Sequence, residues 1–146
     1  MSTQEQLRDA LKDAMRAGDD LRKRTLRMAL SAIKLAEVDK GELDESEVLA
    51  IIQNEIKYRQ ETIEDAQRSG RQDLVQESQE EIQVLKAYLP EQLSPLELEE
   101  VARQVIEEVG ATSMREMGQV MKELVPRLHG RATAQQASQA VRELLA

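Results

Sequence analysis

The sequence has no cysteine, tryptophan or phenylalanine, and its two aromatic residues are Tyr58 and Tyr88. Without cysteine there can be no disulfide framework, no thiolate nucleophile and no cysteine-ligated zinc site. No apolar run approaches the ~20 residues of a membrane-spanning helix. The N-terminal stretch "MSTQEQLRDALKDAM" also lacks the apolar segment of a signal peptide. The sequence therefore predicts a soluble, cytoplasmic protein with no membrane partner.

Motifs for catalysis or cofactor binding are also missing. His129 is the only histidine, so a histidine-based metal site cannot form, and a nucleophile–histidine pair would have to use this residue. The chain has no G-x-x-x-x-G-K-[ST] loop, no G-x-G-x-x-G motif and no G-x-S-x-G nucleophile elbow. We therefore predict no catalytic, cofactor-binding or metal-binding residues. Spacing alone leaves a Ser or Thr partner for His129 open.

Charge is distributed unevenly along the chain, whose net charge is -8. Residues 1–37 contain 8 basic and 6 acidic residues, residues 38–111 contain 7 and 19, and residues 112–146 contain 5 and 3. The two ends are weakly basic and the middle is strongly acidic. This pattern is compatible with a polyanion that contacts only the ends, and equally with an ordinary solvated surface.

Apolar residues with i, i+3, i+4 and i+7 spacing predict four helices in the first part of the chain. Side chains that cap helix starts and glycines that follow helix ends give their approximate bounds. The first lies between Ser2 or Thr3 and Gly18, the second between Asp19 or Asp20 and about Val38, the third between Asp44 and Gly70, and the fourth between about Gln72 and Leu89. Asp44 and Glu47 match a capping box. The third and fourth helices are predicted to form an antiparallel hairpin.

The segment around Pro90 predicts a boundary. Proline disfavours helix at the preceding Leu89, whereas Ser94 and Pro95 are typical of a helix start. The sequence thus predicts an all-α protein with an N-terminal helical module of about four helices and a small three-helix C-terminal module. The modules cover residues 1–89 and 95–146, and residues 90–94 are the linker. The last three helices are expected at about 95–109, 113–125 and 134–145, with Pro126 ending the second of them.

Basic side chains cluster on two of the predicted helices. Lys23, Arg27 and Lys34 fall within a narrow sector of the second helix. On the sixth helix, a second row lies opposite the apolar residues and consists of Arg115, Gln119 and Lys122. Both rows suit ligand binding, but every amphipathic helix has a polar face, and the pattern supports the two interpretations equally.

A third basic group lies in "PRLHGRAT", residues 126–133, where Arg127, His129 and Arg131 surround a glycine-containing turn before the last helix. Backbone N–H groups and cations converge at such a helix start, and this arrangement suits a phosphate. The alternative is structural: Arg131 pairs with a carboxylate of a neighbouring helix and locks the C-terminal module.

Four segments carry a resemblance to the YqeY-like family along nearly the whole chain: "KRTLRMALSAIKLAEVDKG", "EIKYRQETIEDAQRSGRQDL", "LKAYLPEQLS" and "GATSMREMGQVMKELVPRLHGRAT". The last segment is also similar to the C-terminal domain of the B subunit of aspartyl/glutamyl-tRNA amidotransferase. The resemblance implies a helical N-terminal module, a helical tail module and an association with tRNA-dependent amidation. It implies tRNA as a partner, together with an aminoacyl-tRNA synthetase or an amidotransferase.

The chain departs from the family within the last turn. Family members tend to have Gly-Arg-Ala-Asp-Gly there, whereas this chain keeps Gly130, Arg131 and Ala132 and then has Thr133 and Ala134. Thr133 can still cap the last helix. This chain therefore lacks the acidic cap and the following glycine of the family's turn.

The function that we favour from the sequence is a non-catalytic, tRNA-associated binding accessory. The second hypothesis is a component of a glutamine-dependent carbon–nitrogen ligase, a label that belongs to the complete amidotransferase and needs subunits beyond this chain. The third is a protein-interaction adaptor that uses the acidic middle. The candidate RNA-binding residues are Lys23, Arg27, Lys34, Arg115, Gln119, Lys122, Arg127, His129 and Arg131.

Overall fold

The computed structural model describes all residues from 1 to 146 and contains seven α-helices, one short 3₁₀ segment and no strand. The prediction of an all-α protein is therefore confirmed. No helix combines the length and the apolar character that a membrane crossing requires. The helices are α1 (Thr3–Ala17), α2 (Asp20–Lys40), α3 (Glu45–Arg68), α4 (Gln72–Lys86), α5 (Pro95–Val109), α6 (Met117–Leu128) and α7 (Ala134–Leu145), and the 3₁₀ segment Met114–Glu116 precedes α6.

Two compact units divide the chain, Met1–Leu89 and Pro90–Ala146. The first contains α1 to α4 around a core of Leu, Ile, Val and Ala side chains. The second contains α5 to α7 around a separate core of the same residue types, with Met117 and Met121 packed at its edge. Each unit thus buries its own apolar surface, as a chain without Phe and Trp must do with aliphatic residues.

Side-chain caps start three of the four helices of the first unit where the sequence predicts them, whereas α4 follows Arg71 without a side-chain hydrogen bond at its start. Ser2 caps α1, Asp19 caps α2 by accepting a hydrogen bond from the Arg22 backbone N–H, and Asp44 forms a capping box with Glu47. The fourth helix is shorter than predicted. It ends at Lys86, because the N–H groups of the next residues bond three residues back in a turn.

Arg59 of α3 is the only charged residue buried in the first unit. Its side chain is 3% exposed, and Nε donates to Glu81 Oε2 of α4 at 2.8 Å. Nη1 donates to the Glu55 backbone carbonyl at 2.9 Å and to its carboxylate at 3.3 Å. The pair joins the two helices of the predicted hairpin. Glu81 Oε1 also lies 3.7 Å from Arg24 Nη2 of α2. Loss of Arg59 therefore leaves Glu81 with one longer contact to a half-exposed cation, a poorer compensation of a largely buried charge.

Arg59→Ala should lower the free energy of unfolding by about 3 kcal/mol, because Glu81 is only 13% exposed and would keep only its longer contact with Arg24, at 3.7 Å. The matched control is Arg68→Ala on the same helix, where the exposed pair with Asp65 should contribute less than about 1 kcal/mol. Urea denaturation followed by circular dichroism measures both. A loss for Arg59→Ala no larger than the control would show that this ion pair is effectively solvated.

The second unit has the same kind of helix starts. Ser94 and Glu97 form a capping box around Pro95 at the first position of α5, and Gly110 ends that helix in the left-handed conformation. The bounds predicted for α5 are confirmed. Thr133 caps α7, also as predicted.

The prediction that Pro126 ends the sixth helix is wrong. The 3₁₀ turn leads into α6, which continues through Pro126 to Leu128, and His129 then ends it with φ 49° and ψ 41°. A proline removes one N–H and crowds the preceding turn of a helix. Here Leu124 and Leu128, four residues apart, are 0% and 2% exposed. Their packing in the second core keeps the last turn helical.

Hydrogen bonds tie the segment before α5 to the turn before α7. Leu93 N donates to the Arg131 carbonyl at 2.7 Å, and Arg131 Nε donates to the Glu91 carbonyl at 3.0 Å. The Gln92 side-chain amide donates to the Gly130 carbonyl at 3.0 Å. We call this set the 91–131 clamp. It belongs wholly to the second unit.

The linker at 90–94 stays a prediction that limited proteolysis can test. Brief digestion with endoproteinase Glu-C should cut after Glu91, which is exposed and outside any helix, before it cuts after helical glutamates such as Glu64. Mass spectrometry of the first fragments identifies the sites, and the helical glutamates serve as internal controls. Equal or slower cleavage at Glu91 would mean that the segment is a packed corner, and the linker would be withdrawn.

Candidate nucleic-acid interface

Three polar side chains on the 3₁₀–α6 segment are exposed and have no partner within the protein. Arg115 lies in the 3₁₀ turn, and Gln119 and Lys122 follow in the first turns of α6. Ser113 caps the 3₁₀ turn through the Arg115 backbone N–H, so this contact leaves the guanidinium free. We call these three side chains the α6 row. Their i, i+4, i+7 spacing is the one predicted from the sequence.

The local fold explains why the α6 row faces water. Val120 and Leu124 are fully buried on the other side of the helix and fix its rotation against the second core. The neighbouring acid, Glu116, accepts hydrogen bonds from the backbone N–H and hydroxyl of Thr112, at 3.0 and 3.3 Å. It therefore caps the preceding loop and does not pair with the cations of the row.

The turn at 126–133 uses two of its three basic residues internally. Arg127 forms an ion pair with Glu108 of α5, and this hydrogen bond lowers the pKa of the Glu108 carboxyl below its ordinary value. Arg131 belongs to the 91–131 clamp. Its hydrogen-bond partner is the Glu91 backbone carbonyl. The carboxylate of the structural alternative is Glu97 of α5, whose pKa is lowered by hydrogen bonds from Ser94 and further by the charge of Arg131. His129 is exposed in the left-handed conformation. These three residues therefore do not point together at one free site.

The start of α7 is a capping box. Thr133 Oγ1 accepts from the Gln136 N–H at 3.0 Å, and Gln136 Oε1 accepts from the Thr133 N–H at 2.9 Å. Two N–H groups that a phosphate would have used are thus already bonded. The sequence analysis identified Thr133 but missed Gln136, although Thr-x-x-Gln is a recognisable capping-box signal.

The basic residues of α2 have a mixed environment. Lys23 Nζ lies 3.5 Å from Asp20 Oδ1, and the Arg27 guanidinium lies 3.9 Å from the Met15 sulfur. Lys34 has no partner and is exposed. A groove of about 550 Å³ runs beside this helix. It is lined by Asp20, Lys23, Arg24, Arg27, Met28, Ser31 and Glu55.

The acidic side chains and His129 form no metal-binding cluster and no hydrogen-bonded nucleophile–histidine pair. No three carboxylate or imidazole side chains lie close enough together to hold a metal ion. His129 forms no hydrogen bond with a Ser or Thr hydroxyl, the partner that its spacing had left open. The geometry therefore offers hydrogen-bond donors and positive charge to a ligand, and no nucleophile–base pair.

Comparisons with known proteins place the chain near one family. The model of a family described as "Yqey-like protein" matches residues 4–145. The chain is 41% identical over 85 residues to "Altered inheritance of mitochondria protein 41, mitochondrial" of Lachancea thermotolerans, a match that covers 57% of this chain and 46% of the relative. The proteins of the same name from Eremothecium gossypii and Vanderwaltozyma polyspora are 39% and 36% identical over the same shares. The chain thus spans about half the length of the curated relatives it matches.

The prediction of a cytoplasmic location is wrong by this comparison, because each of these relatives is named as a mitochondrial protein. The prediction was based on the missing apolar stretch and the missing cysteine. Both features distinguish a membrane or an oxidising compartment from other compartments. Neither distinguishes one reducing aqueous compartment from another, so the residues gave no signal for this choice.

The purified chain should neither release ammonia from glutamine nor hydrolyse ATP, because no residue set for either reaction is assembled. A glutamate-dehydrogenase-coupled assay and a phosphate-release assay measure the two rates against a buffer blank. His129→Ala is the control variant, since this histidine is the only imidazole base available. A turnover that coelutes with the protein and is abolished by this substitution would contradict the prediction.

Proposed function

Because this chain belongs to the YqeY-like family, we propose that it is a non-catalytic accessory that binds tRNA through the α6 row. The observation that carries the proposal is the row itself: a guanidinium, an amide and an ammonium group, all exposed and all without an intramolecular partner. Arg, Lys and Gln side chains are typical donors to phosphate and sugar oxygens.

The other candidate residues contribute less under this proposal. The donors of Arg127 and Arg131 are bonded to Glu108 and to the Glu91 carbonyl, so they add to the local field without being free. His129 is exposed beside them. Lys23, Arg27 and Lys34 form a second candidate contact, of which only Lys34 is free of a neighbour.

The chemistry of the chain limits both the affinity and the kind of RNA. A net charge of -8 repels a polyanion, so we expect binding at about micromolar or weaker affinity at physiological salt. Tyr58 is the one exposed aromatic side chain, which gives little base stacking. Folded tRNA should therefore be preferred over unstructured single strands, which proteins hold largely by stacking.

The resemblance to the amidotransferase tail supports one further part of the proposal. Tail modules of this kind are attached to enzymes that handle tRNA, and the chain would then act beside an amidotransferase or an aminoacyl-tRNA synthetase. The glutamine-dependent ligase activity would belong to that partner, because this chain assembles no amidase or kinase site.

Arg115→Glu with Lys122→Glu should weaken tRNA binding and flatten its salt dependence, because two phosphate contacts are lost. The slope of log affinity against log salt should fall by roughly 1.5 between about 50 and about 200 mM salt. The matched control is Arg8→Glu with Lys12→Glu on α1, which changes the net charge equally at two exposed positions without partners. Filter binding measures affinity, and circular dichroism checks that all three proteins are folded.

The outcome of this comparison decides the proposal. Equal weakening by both double variants would mean that net charge alone controls the affinity. Equal binding by the wild type and the α6 variant, or no binding by either, would mean that the row is only a solvated helix face.

A further inference from the structure

The exposed side of α2 carries large apolar side chains that the structure leaves partly or largely uncovered. Met28, Leu35 and Val38 are 43%, 69% and 76% exposed, and the Met28 sulfur lies 3.6 Å from Arg59 Nη2. At about 100° per residue they fall within a sector of roughly 80°, which also holds the exposed Ser31 between Met28 and Leu35. A single exposed leucine needs no explanation, whereas several large apolar side chains along one sector of a helix are typical of a contact surface. We call these three residues the α2 apolar line.

Cations border the α2 apolar line along one edge. Lys23, Arg27 and Lys34 occupy the next sector of the same helix, so cations lie directly beside the apolar residues. Towards the start of α2 the apolar sector also holds the exposed Asp20 and Arg24. The groove beside α2 is lined by residues of both sectors, among them Lys23, Arg27 and Met28.

We propose that this side of α2 docks an amphipathic helix of a partner protein. The apolar side chains of that helix cover Met28, Leu35 and Val38, and its carboxylates face Lys23, Arg27 and Lys34. A helix fits because side chains spaced by three, four and seven residues form ridges that pack between the ridges of a second helix. Because the cations of α2 lie beside its apolar residues, the carboxylates of the partner helix have to lie beside the apolar side chains of that helix.

RNA, for which the three cations of α2 are the second candidate contact, fits the whole surface less well than an amphipathic helix. Met28, Leu35 and Val38 offer no hydrogen-bond donor or charge to phosphate. No aromatic side chain lies on α2 to stack on a base. A second copy of the chain also fits poorly, since the same side of its α2 brings no row of carboxylates to face the cations.

The experiment uses the full chain and a fluorescein-labelled synthetic helical peptide. The peptide has Leu at about every third or fourth position, namely 1, 4, 8 and 11, so that these side chains share one face of the helix, and it has Glu along one side of that face. Two control peptides replace every Glu by Gln or every Leu by Ser. Fluorescence anisotropy should show saturable, roughly micromolar binding of the first peptide and at least about fivefold weaker binding of each control.

Protein variants then locate the contact. Leu35→Gln with Val38→Gln should weaken peptide binding about tenfold or more, because buried apolar anchors dominate helix docking. Lys34→Glu should weaken it by about three- to fivefold, and a peptide with Lys in place of the facing Glu should recover part of the loss. The matched control is Leu96→Gln, an equally exposed leucine in the second unit, at 78%, which should change nothing. Thermal melts confirm that these surface variants are folded.

Several results would overturn the proposal. One is the absence of saturable peptide binding, and another is unchanged affinity in the Leu35, Val38 variant. Loss of tRNA binding in that variant without loss of peptide binding would assign the surface to RNA. If the wild type sediments as a larger species and the Leu35, Val38 variant as a monomer, the surface would be assigned to a second copy of the chain.

Discussion

Helix starts fixed by side-chain caps are the constraint on which the rest of this structure depends. The cores are built from Leu, Ile, Val and Ala. Cores of this kind tolerate exchanges among apolar side chains more readily than a rotation of a helix that turns its polar side inward. A cap contributes about 1 kcal/mol and specifies one residue as the beginning of the helix. Ser94 and Thr133 do this for α5 and α7. Ser113 caps the 3₁₀ turn before α6, whereas α6 itself begins without a side-chain cap and is oriented by the burial of Val120 and Leu124.

The parts of the fold that depend on residues close together in the sequence could be predicted from the sequence. Caps, glycines and apolar spacing gave the bounds of α1 and α5 and the exposed position of the α6 row. The end of α6 could not be predicted, because proline's local preference was overridden by the packing of Leu124 and Leu128. The ion pair of Arg127 with Glu108 joins different helices, and nothing within either helix indicates it.

The two cationic surfaces differ in what lies beside the cations. On α6 the apolar neighbours of the cations, Met114 and Val125, are 44% and 36% exposed, so charge and hydrogen-bond donors make up more of the surface. On α2 the neighbours include Leu35 and Val38, and displacing water from them adds an apolar contribution to binding that salt does not screen. A similar density of positive charge therefore has different consequences on the two helices. The residues beside the cations therefore decide whether a ligand is bound mainly by charge or also by burial of apolar surface.

The 91–131 clamp joins two places that are about forty residues apart in the chain. It lies directly before the caps of both α5 and α7, so the first turns of these two helices are held by the same three hydrogen bonds. Helix ends normally fray independently and at low free energy. In this unit, fraying at one helix start has to break bonds that also hold the other. We therefore expect the starts of α5 and α7 to open together, and in a chain without cysteine these hydrogen bonds close a loop that a disulfide could otherwise close.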